Sequence, residues 1–402
     1  MSQTSSPPPR GIALVLAALG ALGPFSIDAY LPSFPDIAQS LGATPIEVQQ
    51  TLTAYLIPFA VMALWHGAIS DALGRRRVIL VSLVLFGLAA GGCAFATRIE
   101  HLWALRALQG ISAGAGIVIS RAIVRDLFDG PAAHRLMSHI AMMFAFAPAV
   151  APMIGGRLQA WFGWRSVFGF LVVATVILLI ACWRLLPETL PLERRQPLYP
   201  GYLARTYVKV LSSPVFLCAC AALALNFAGF FIYVMSAPEF LMRHLGVAET
   251  GFLWLFGPAM AGLMAGSWYS GRLAGKLSLE QTIVRGYVVM ACAALANVIL
   301  NITFPPGLPW SVMPIPLYTF GMSLAMPCLT LLSLEPFPEQ RGLAASCQMF
   351  LQSIGNGAVA GILAPALWGS TRTLAFGMVS LMLFGATAAW LHRRLTSRRQ
   401  AA

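Results

Sequence analysis

Charge is scarce in this chain. Asp, Glu, Lys and Arg make up only 10% of its 402 residues, against about 25% in soluble domains, and just 14 are acids. Such a composition excludes an ordinary water-soluble fold. The six histidines, His66, His101, His134, His139, His244 and His392, are scattered, and the seven cysteines have no metal-ligand spacing. No metal centre is expected. Neither a hydrolytic triad nor a phosphate-binding loop can be read along the chain, which argues against an enzyme and against ATP as the energy source. Any active transport must therefore draw on an ion gradient, without a cofactor.

What is present is apolar: 58% of the residues are hydrophobic. About 20 such residues in a helix cross the hydrocarbon of a bilayer, where every backbone polar group must be satisfied internally. Twelve stretches of that kind are expected, approximately Gly11 to Leu31, Val48 to Ile69, Val78 to Ala96, Leu102 to Val124, Met137 to Leu158, Val167 to Leu186, Val215 to Ala237, Phe252 to Leu273, Ile283 to Ile302, Ser311 to Leu332, Leu343 to Trp368 and Leu374 to Leu391. The reading is an all-α polytopic membrane protein. The longest polar stretch, residues 187–213, rich in Pro and Arg, separates a six-span half at 11–186 from a second at 214–391. Residues 1–10 and 392–402 form the tails. Two such halves around a midplane site are the plan of many secondary transporters.

The net charge of +12 could suggest nucleic acid, but the position of the charges argues for membrane topology. With both termini in the cytoplasm, about 19 of the 26 Lys and Arg fall on the cytoplasmic side, including Arg75, Arg76 and Arg77, the linker and the C-terminal tail. The first span runs past signal-peptide length, and no cleavage is expected. Arg106 and Arg121 remain inside apolar stretches, as does one acid, Asp28. A carboxylate at bilayer depth costs roughly 2.5–3.5 kcal/mol on insertion scales, so its presence needs a reason. Desolvation and a neighbouring guanidinium act on such a carboxyl in opposite directions, and between them can poise it to load and release a proton. The alternative is that Asp28 caps a half-helix or sits at headgroup level. Arg106 is its expected electrostatic counterpart, unless it snorkels to the outer interface. Arg121 either snorkels or joins a gate near Arg125.

The loop after the second span reads Gly67-Ala68-Ile69-Ser70-Asp71-Ala72-Leu73-Gly74-Arg75-Arg76-Arg77. Gly67 permits close helix approach, Gly74 a tight turn, and Asp71 can cap a helix N-terminus or pair with an Arg. This loop resembles the signature loop of the major facilitator superfamily. The resemblance implies twelve helices in two six-helix bundles around a central cavity, and a gate in which Asp71 faces the start of span eleven near Arg341. Arg106, followed by Gln109 and Gly110, resembles the superfamily's buried-Arg motif. Ala151, Pro152, Gly155 and Gly156 in span five resemble its antiporter motif, with Ala151 where the broader pattern has Gly. Small residues there let helices approach closely, Pro152 permits a bend, and Gly262 and Gly266 of span eight are possible packing partners.

Asp28 followed by Tyr30-Leu31-Pro32, Arg125-Asp126 ending span four, and Glu188-Thr189-Leu190-Pro191 after span six narrow the resemblance to the Bcr/CflA family of bacterial drug:proton antiporters. What it implies is export of small amphipathic drugs across the bacterial inner membrane by a monomer, coupled to protons. An uptake symporter for a small nutrient is the alternative. Drug-sized ligands need a mostly apolar cavity with a few polar groups. Tyr30, Tyr55, Met143, Phe144, Asn226, Phe227, Phe230, Phe231, Tyr233, Gln348 and Gln352 are candidates to line it, because spans one, two, five, seven and eleven face the cavity in the superfamily.

Overall fold

The computed structural model describes residues 11–128, 130–273 and 275–401, without the side chains of 130–135, 138, 139, 141–146, 194 and 398–401. The expected tail 1–10 and the side chains of His134, His139, Met143 and Phe144 lie outside the described residues. Twelve long helices occupy the places of the twelve expected spans: α1 (Ile12–Asp28), α2 (Pro45–Leu73), α3 (Arg75–Ala94), α4 (Ile99–Leu127), α5 (Gly130–Phe162), α6 (Arg165–Leu185), α7 (Pro214–Met235), α8 (Leu253–Leu273), α9 (Leu279–Thr303), α10 (Pro314–Leu334), α11 (Arg341–Ala358) and α12 (Thr371–Ala401). By length and composition, ten helical segments among the described residues can cross a membrane, and α5 and α8 fill the two remaining positions.

The ends of these helices follow from local chemistry. Thr44 and Glu47 form a capping box at the start of α2, and Ser278 and Gln281 another at α9, each satisfying backbone N–H groups that the first turn leaves open. Proline stands in the first turn of α2, α7 and α10, where its missing N–H costs nothing. Shorter elements complete the chain. A 3₁₀ turn and the helix Phe34–Leu41 follow α1, π-helical turns occupy Pro238–His244 and Val359–Leu363, and the linker holds a helix at Pro200–Leu211. This linker helix was not anticipated within the polar stretch. Only Leu203, Thr206, Tyr207 and Val210 are buried on it, a single short stripe amid exposed polar residues.

Helices α1 to α6 pack on one another, as do α7 to α12, and the two groups meet where α2 lies along α11 and α5 meets α8 and the turn Glu249–Phe252. Small residues set the closest approaches. An added Cβ at Gly110 would overlap the Tyr55 carbonyl, and at Gly116 the Leu19 carbonyl, binding α4 to α2 and α1. Gly262 and Gly266 meet the Pro316 and Phe320 carbonyls of α10, not α5. That corrects the expected pairing: α8 touches α5, but its glycine face turns into its own bundle.

One end of the molecule carries Arg75, Arg76, Arg77, the linker and Arg393, and is called the basic end. At the opposite, far end the bundles are sealed together. There the Gln49 and Gln50 side chains each donate over 3.1 Å to the Ala360 and Gly361 carbonyls, and Gly156 lies against the Glu249 backbone. At the basic end a cavity of 730 Å³ opens between α2, α4, α11 and the linker, lined by Leu64, Gly67, Val118, Tyr202 and Ser346 among others.

Candidate functional site

Arg106 is the largest side chain that α4 buries completely. Its guanidinium is clamped between two rings, 4.5 Å from the centroid of Tyr30 and 4.4 Å from that of Tyr55. Nη1 donates to the Ser26 carbonyl at 3.3 Å and to Gln109 Oε1 at 2.8 Å, Gln109 lying one turn on along the same face. The rings are themselves held. Tyr30 and Thr51 share a 2.6 Å hydroxyl hydrogen bond, while the Tyr55 hydroxyl donates to the Gly23 carbonyl at 3.2 Å. The cation therefore does not snorkel. Its Nε and Nη2 and the Nε2 of Gln109 have no partner among the described residues, leaving unused donors in a closed site.

Asp28 closes α1 and is 4% exposed, two residues from the Ser26 carbonyl that holds Arg106. The expected Asp28–Arg106 pair is not formed: no ion pair involves either residue among those described, and the aromatic clamp occupies the two faces of the guanidinium. The span-five motif stands directly behind this acid. Gly155 packs on the carbonyl of Ala29, the next residue, so closely that a Cβ would overlap it; Ala151 is fully buried, and Pro152 lies inside α5. Gly156 reaches across to Glu249 in the other bundle. The motif thus joins the end of α1 to the far-end seal.

At the basic end, Arg75 gathers the polar residues of its loop. Nη1 lies 2.5 Å from Asp71 and donates to Ser70 at 2.6 Å; Nε lies 3.3 Å from Asp126, which also accepts from Thr189 at 2.8 Å. The backbone N–H of Arg75, first residue of α3, donates to Glu188 at 2.9 Å, and Glu188 is held by Arg195 at 3.7 Å. Asp71 was expected to face the start of α11. It pairs within its own bundle, and Arg341 and Gly342 are exposed across the cavity. The helix N-terminus in this cluster is capped by Glu188 of the linker, an assignment that only its motif could have suggested. Gly74 is required twice over, by φ 98° and by the Glu188 carboxylate against its α-carbon. Gly67 is not tightly packed: a Cβ would meet Val118 at an ordinary 3.9 Å. Arg125 lines the cavity, and Arg121 is exposed without an ion pair among the described residues.

The cavity candidates separate. Tyr30 and Tyr55 form the clamp on Arg106. Phe227 is half-buried, its ring stacked on Phe231 at 5.2 Å and edge-on to Phe230 at 6.3 Å. Gln348 is half-buried and accepts from Ser333 at 3.2 Å, while Gln352, also half-buried, leaves Nε2 unpartnered among the described residues. Asn226 and Tyr233 turn to partners on α9. Both are fully buried inside the second bundle, where Asn226 donates to Tyr287 at 2.8 Å and Tyr233 accepts from Asn297 at 2.7 Å. They do so because those α9 residues offered partners that no periodicity argument included. Gln109, named with Arg106 in its motif, belongs to the site, as do Ser26 and Thr51, which were not among its candidates.

Two helical bundles sealed at one end, with a caged cation and a buried acid inside the first of them, define a membrane transporter. Residues 16–360 match the family model of the Major Facilitator Superfamily. The chain is 36% identical to the Uncharacterized MFS-type transporter YdgK of Bacillus subtilis (strain 168), covering 78% of each protein. It is 30% identical to Multidrug resistance protein D of Escherichia coli (strain K12), covering 87% of each. With the Chloramphenicol resistance protein of Pseudomonas aeruginosa it shares 32% identity over 72% of this chain and 68% of that one. Among solved structures, a D-xylose-proton symporter superposes with a TM-score of 0.73 at 15% identity, covering 93% of this chain and 96% of that one; it shares the fold. The chain belongs to the Major Facilitator Superfamily, in its Bcr/CflA-type branch of drug transporters, and is a transporter rather than an enzyme.

Proposed function

We propose that this protein exports small amphipathic drugs across the bacterial inner membrane in exchange for protons, as a monomer and with no cofactor beyond the proton gradient. The observation that carries this reading is Asp28, a 4% exposed carboxyl at the end of α1 without an ion-pair partner among the described residues. A carboxyl so placed is neutral at low cost and ionised at high cost, so it can carry a proton from one side to the other. Arg106, caged two residues from the Asp28 helix end, biases that exchange through its field and through its unused donors. The half-buried Phe227 and Gln352 supply apolar surface and a polar contact for the substrate.

The basic end is assigned to the cytoplasm, following the distribution of Lys and Arg. With the far end sealed and a 730 Å³ cavity at the basic end, the conformation is then inward-facing, ready to receive a substrate from the cell. Alternating access follows from rocking of the 11–186 bundle on the 214–391 bundle, with residues 187–213 as the cytoplasmic linker and 1–10 and 392–402 as tails. The loop from Gly67 to Arg75 gates the cytoplasmic side, Asp71 leaving Arg75 to meet the α11 end near Arg341 when that side closes. Each proton moving inward supplies about 2.3 kcal/mol per 100 mV, plus the pH term.

The test is efflux from proteoliposomes under an imposed pH gradient, wild type against Asp28→Asn, with chloramphenicol as the first substrate tried. Gradient-driven exchange is expected to vanish in Asp28→Asn while substrate still equilibrates across the membrane. Undiminished exchange in the variant would remove Asp28 from the mechanism.

A further inference from the structure

Away from the basic-end cavity, and separated from Arg106 by the Tyr30 ring on which its wall residue Phe34 packs, a second crevice of 460 Å³ lies at the far end, in the seam between the bundles. Its walls come from both halves. The helix Phe34–Leu41 and the first turn of α2 supply Phe34 and Gln49, while the π-helical turn Pro238–His244 and the segment after α11 supply Glu239, Met242, Arg243 and Trp368. That volume lies in the range of about 300–1,000 Å³ occupied by drug-sized ligands, and aromatic and thioether walls with few polar groups are their usual setting.

The polar side chains on its walls are Gln49, Glu239 and Arg243. Gln49 is fully buried; its Nε2 is committed to the Ala360 carbonyl, and its Oε1 has no partner among the described residues. Glu239 is 18% exposed and its one ion pair is with Arg243 at 3.1 Å, a side chain 74% exposed that can swing into solvent. Gln49 Oε1 is closed off behind the wall, so Glu239 is the accessible side-chain acceptor, and a half-buried carboxylate gains most from a donor that also carries charge. Both π-helical turns of the described chain converge on this seam, one lining the crevice and the other holding Gln49 and Gln50, and such turns are frequent at functional sites.

We propose that this crevice is a binding site, open to the far side, for a small organic ammonium with an aromatic or aliphatic body. Its N–H groups are held by the Glu239 carboxylate, and its body packs on Phe34, Met242 and Trp368. Because the walls belong to different bundles, the site exists only while the far end is sealed. A ligand held there binds that conformation alone and draws the population toward it, so it slows the transport cycle from outside.

Calorimetric titration of the purified full-length protein with 1-naphthylmethylammonium, and with neutral 1-naphthylmethanol as control, tests the site without any transport assay, so its outcome is separate from that of the Asp28 experiment. Glu239→Gln is expected to weaken ammonium binding at least about tenfold and leave the alcohol unchanged, as loss of one charge-assisted contact predicts. Ala38→Leu, which places bulk on the crevice wall, is expected to abolish binding of both. Equal ammonium affinity in Glu239→Gln, or in Ala38→Leu, would overturn the proposal. A lipid headgroup is the other source of the same chemistry. Ammonium binding in phosphatidylglycerol nanodiscs that disappears when phosphatidylethanolamine is included would overturn a soluble amine as the occupant, and binding retained in both supports it.

Discussion

Gly155 of α5 rests on the carbonyl of Ala29, the residue after Asp28, at a separation that leaves no room for a side-chain carbon. A single methyl there must push α5 away from the end of α1, because a backbone carbonyl in a packed helix pair cannot turn aside as a flexible side chain can. Gly155→Ala is expected to lower the thermal midpoint of the detergent-solubilised protein by several degrees and to abolish transport. Gly67→Ala, whose Cβ meets its nearest neighbour at 3.9 Å, is the matched control and is expected to leave the midpoint unchanged. Differential scanning fluorimetry of both variants decides whether the span-five glycine acts by close packing. Equal midpoints for the two would show that it does not.

Arg106 should resist replacement by the other basic residue. Lys keeps the charge but has no flat face to lie between Tyr30 and Tyr55. Each cation–π contact with a desolvated Arg is worth about 2 kcal/mol. Arg106→Lys is therefore expected to destabilise the first bundle and to lose efflux, and Tyr55→Phe, which keeps the ring and removes only the hydroxyl, to retain most of both. Denaturation midpoints and initial efflux rates in the same proteoliposomes check the contrast; wild-type behaviour in Arg106→Lys would mean that charge alone suffices.

Span number and class were legible because bilayer thickness imposes a length on every apolar stretch, a constraint that needs no partner to be known. Burial of Asp28 and Arg106 was legible for the same reason: both interrupt such stretches. Their relation to each other was not. The aromatic clamp depends on Tyr30 arriving from the turn after α1 and Tyr55 from α2, and two rings on either face of a guanidinium leave no trace in spacing. The gate illustrates the limit differently. Asp71 and Arg75 were recognisable as a pair-forming motif, yet the spacing did not say which partner Asp71 takes, and it pairs with Arg75 of its own bundle. The turn of Asn226 and Tyr233 toward α9 was not legible because their partners Tyr287 and Asn297 lie on another helix, which spacing along α7 does not report.

Tyr207 gives the linker helix a pH-dependent anchor. Its hydroxyl donates to the Leu64 carbonyl of α2 at 2.5 Å, and burial pushes its pKa up to about 12, from an ordinary value of about 10. A folded-state pKa above the unfolded one means that the neutral form is the stabilised one. The contribution is complete below about pH 10 and is lost as pH rises through about 12. Docking of the linker helix, followed by fluorescence of the adjacent Trp65 in a variant lacking the other tryptophans, is expected to hold to pH 10 and to weaken between 10 and 12. Tyr207→Phe should remove that transition; its persistence would assign the change to another group.

Glu188 caps α3 from a different segment of the chain, so it couples the linker to the gate loop. Its carboxylate receives the first N–H of the helix and lies where the helix dipole favours negative charge, while Arg75 binds Asp71 and Asp126 from the same residue. Capping contacts of this kind are worth about 0.5–2 kcal/mol. Glu188→Gln keeps the shape and one acceptor but loses the charge, and is expected to cost about 1 kcal/mol in stability at low salt and less at high salt, where the dipole interaction is screened. Gly74→Ala is expected to cost more, since it adds strain at φ 98° to a collision with the same carboxylate. In the double variant with Glu188→Ala the carboxylate contact is relieved while the Arg195 guanidinium and the backbone strain remain, so the combined loss should be less than the sum of the two separate losses. Strict additivity in denaturation midpoints would show that Gly74 and Glu188 act independently, and that the linker is not keyed to the turn.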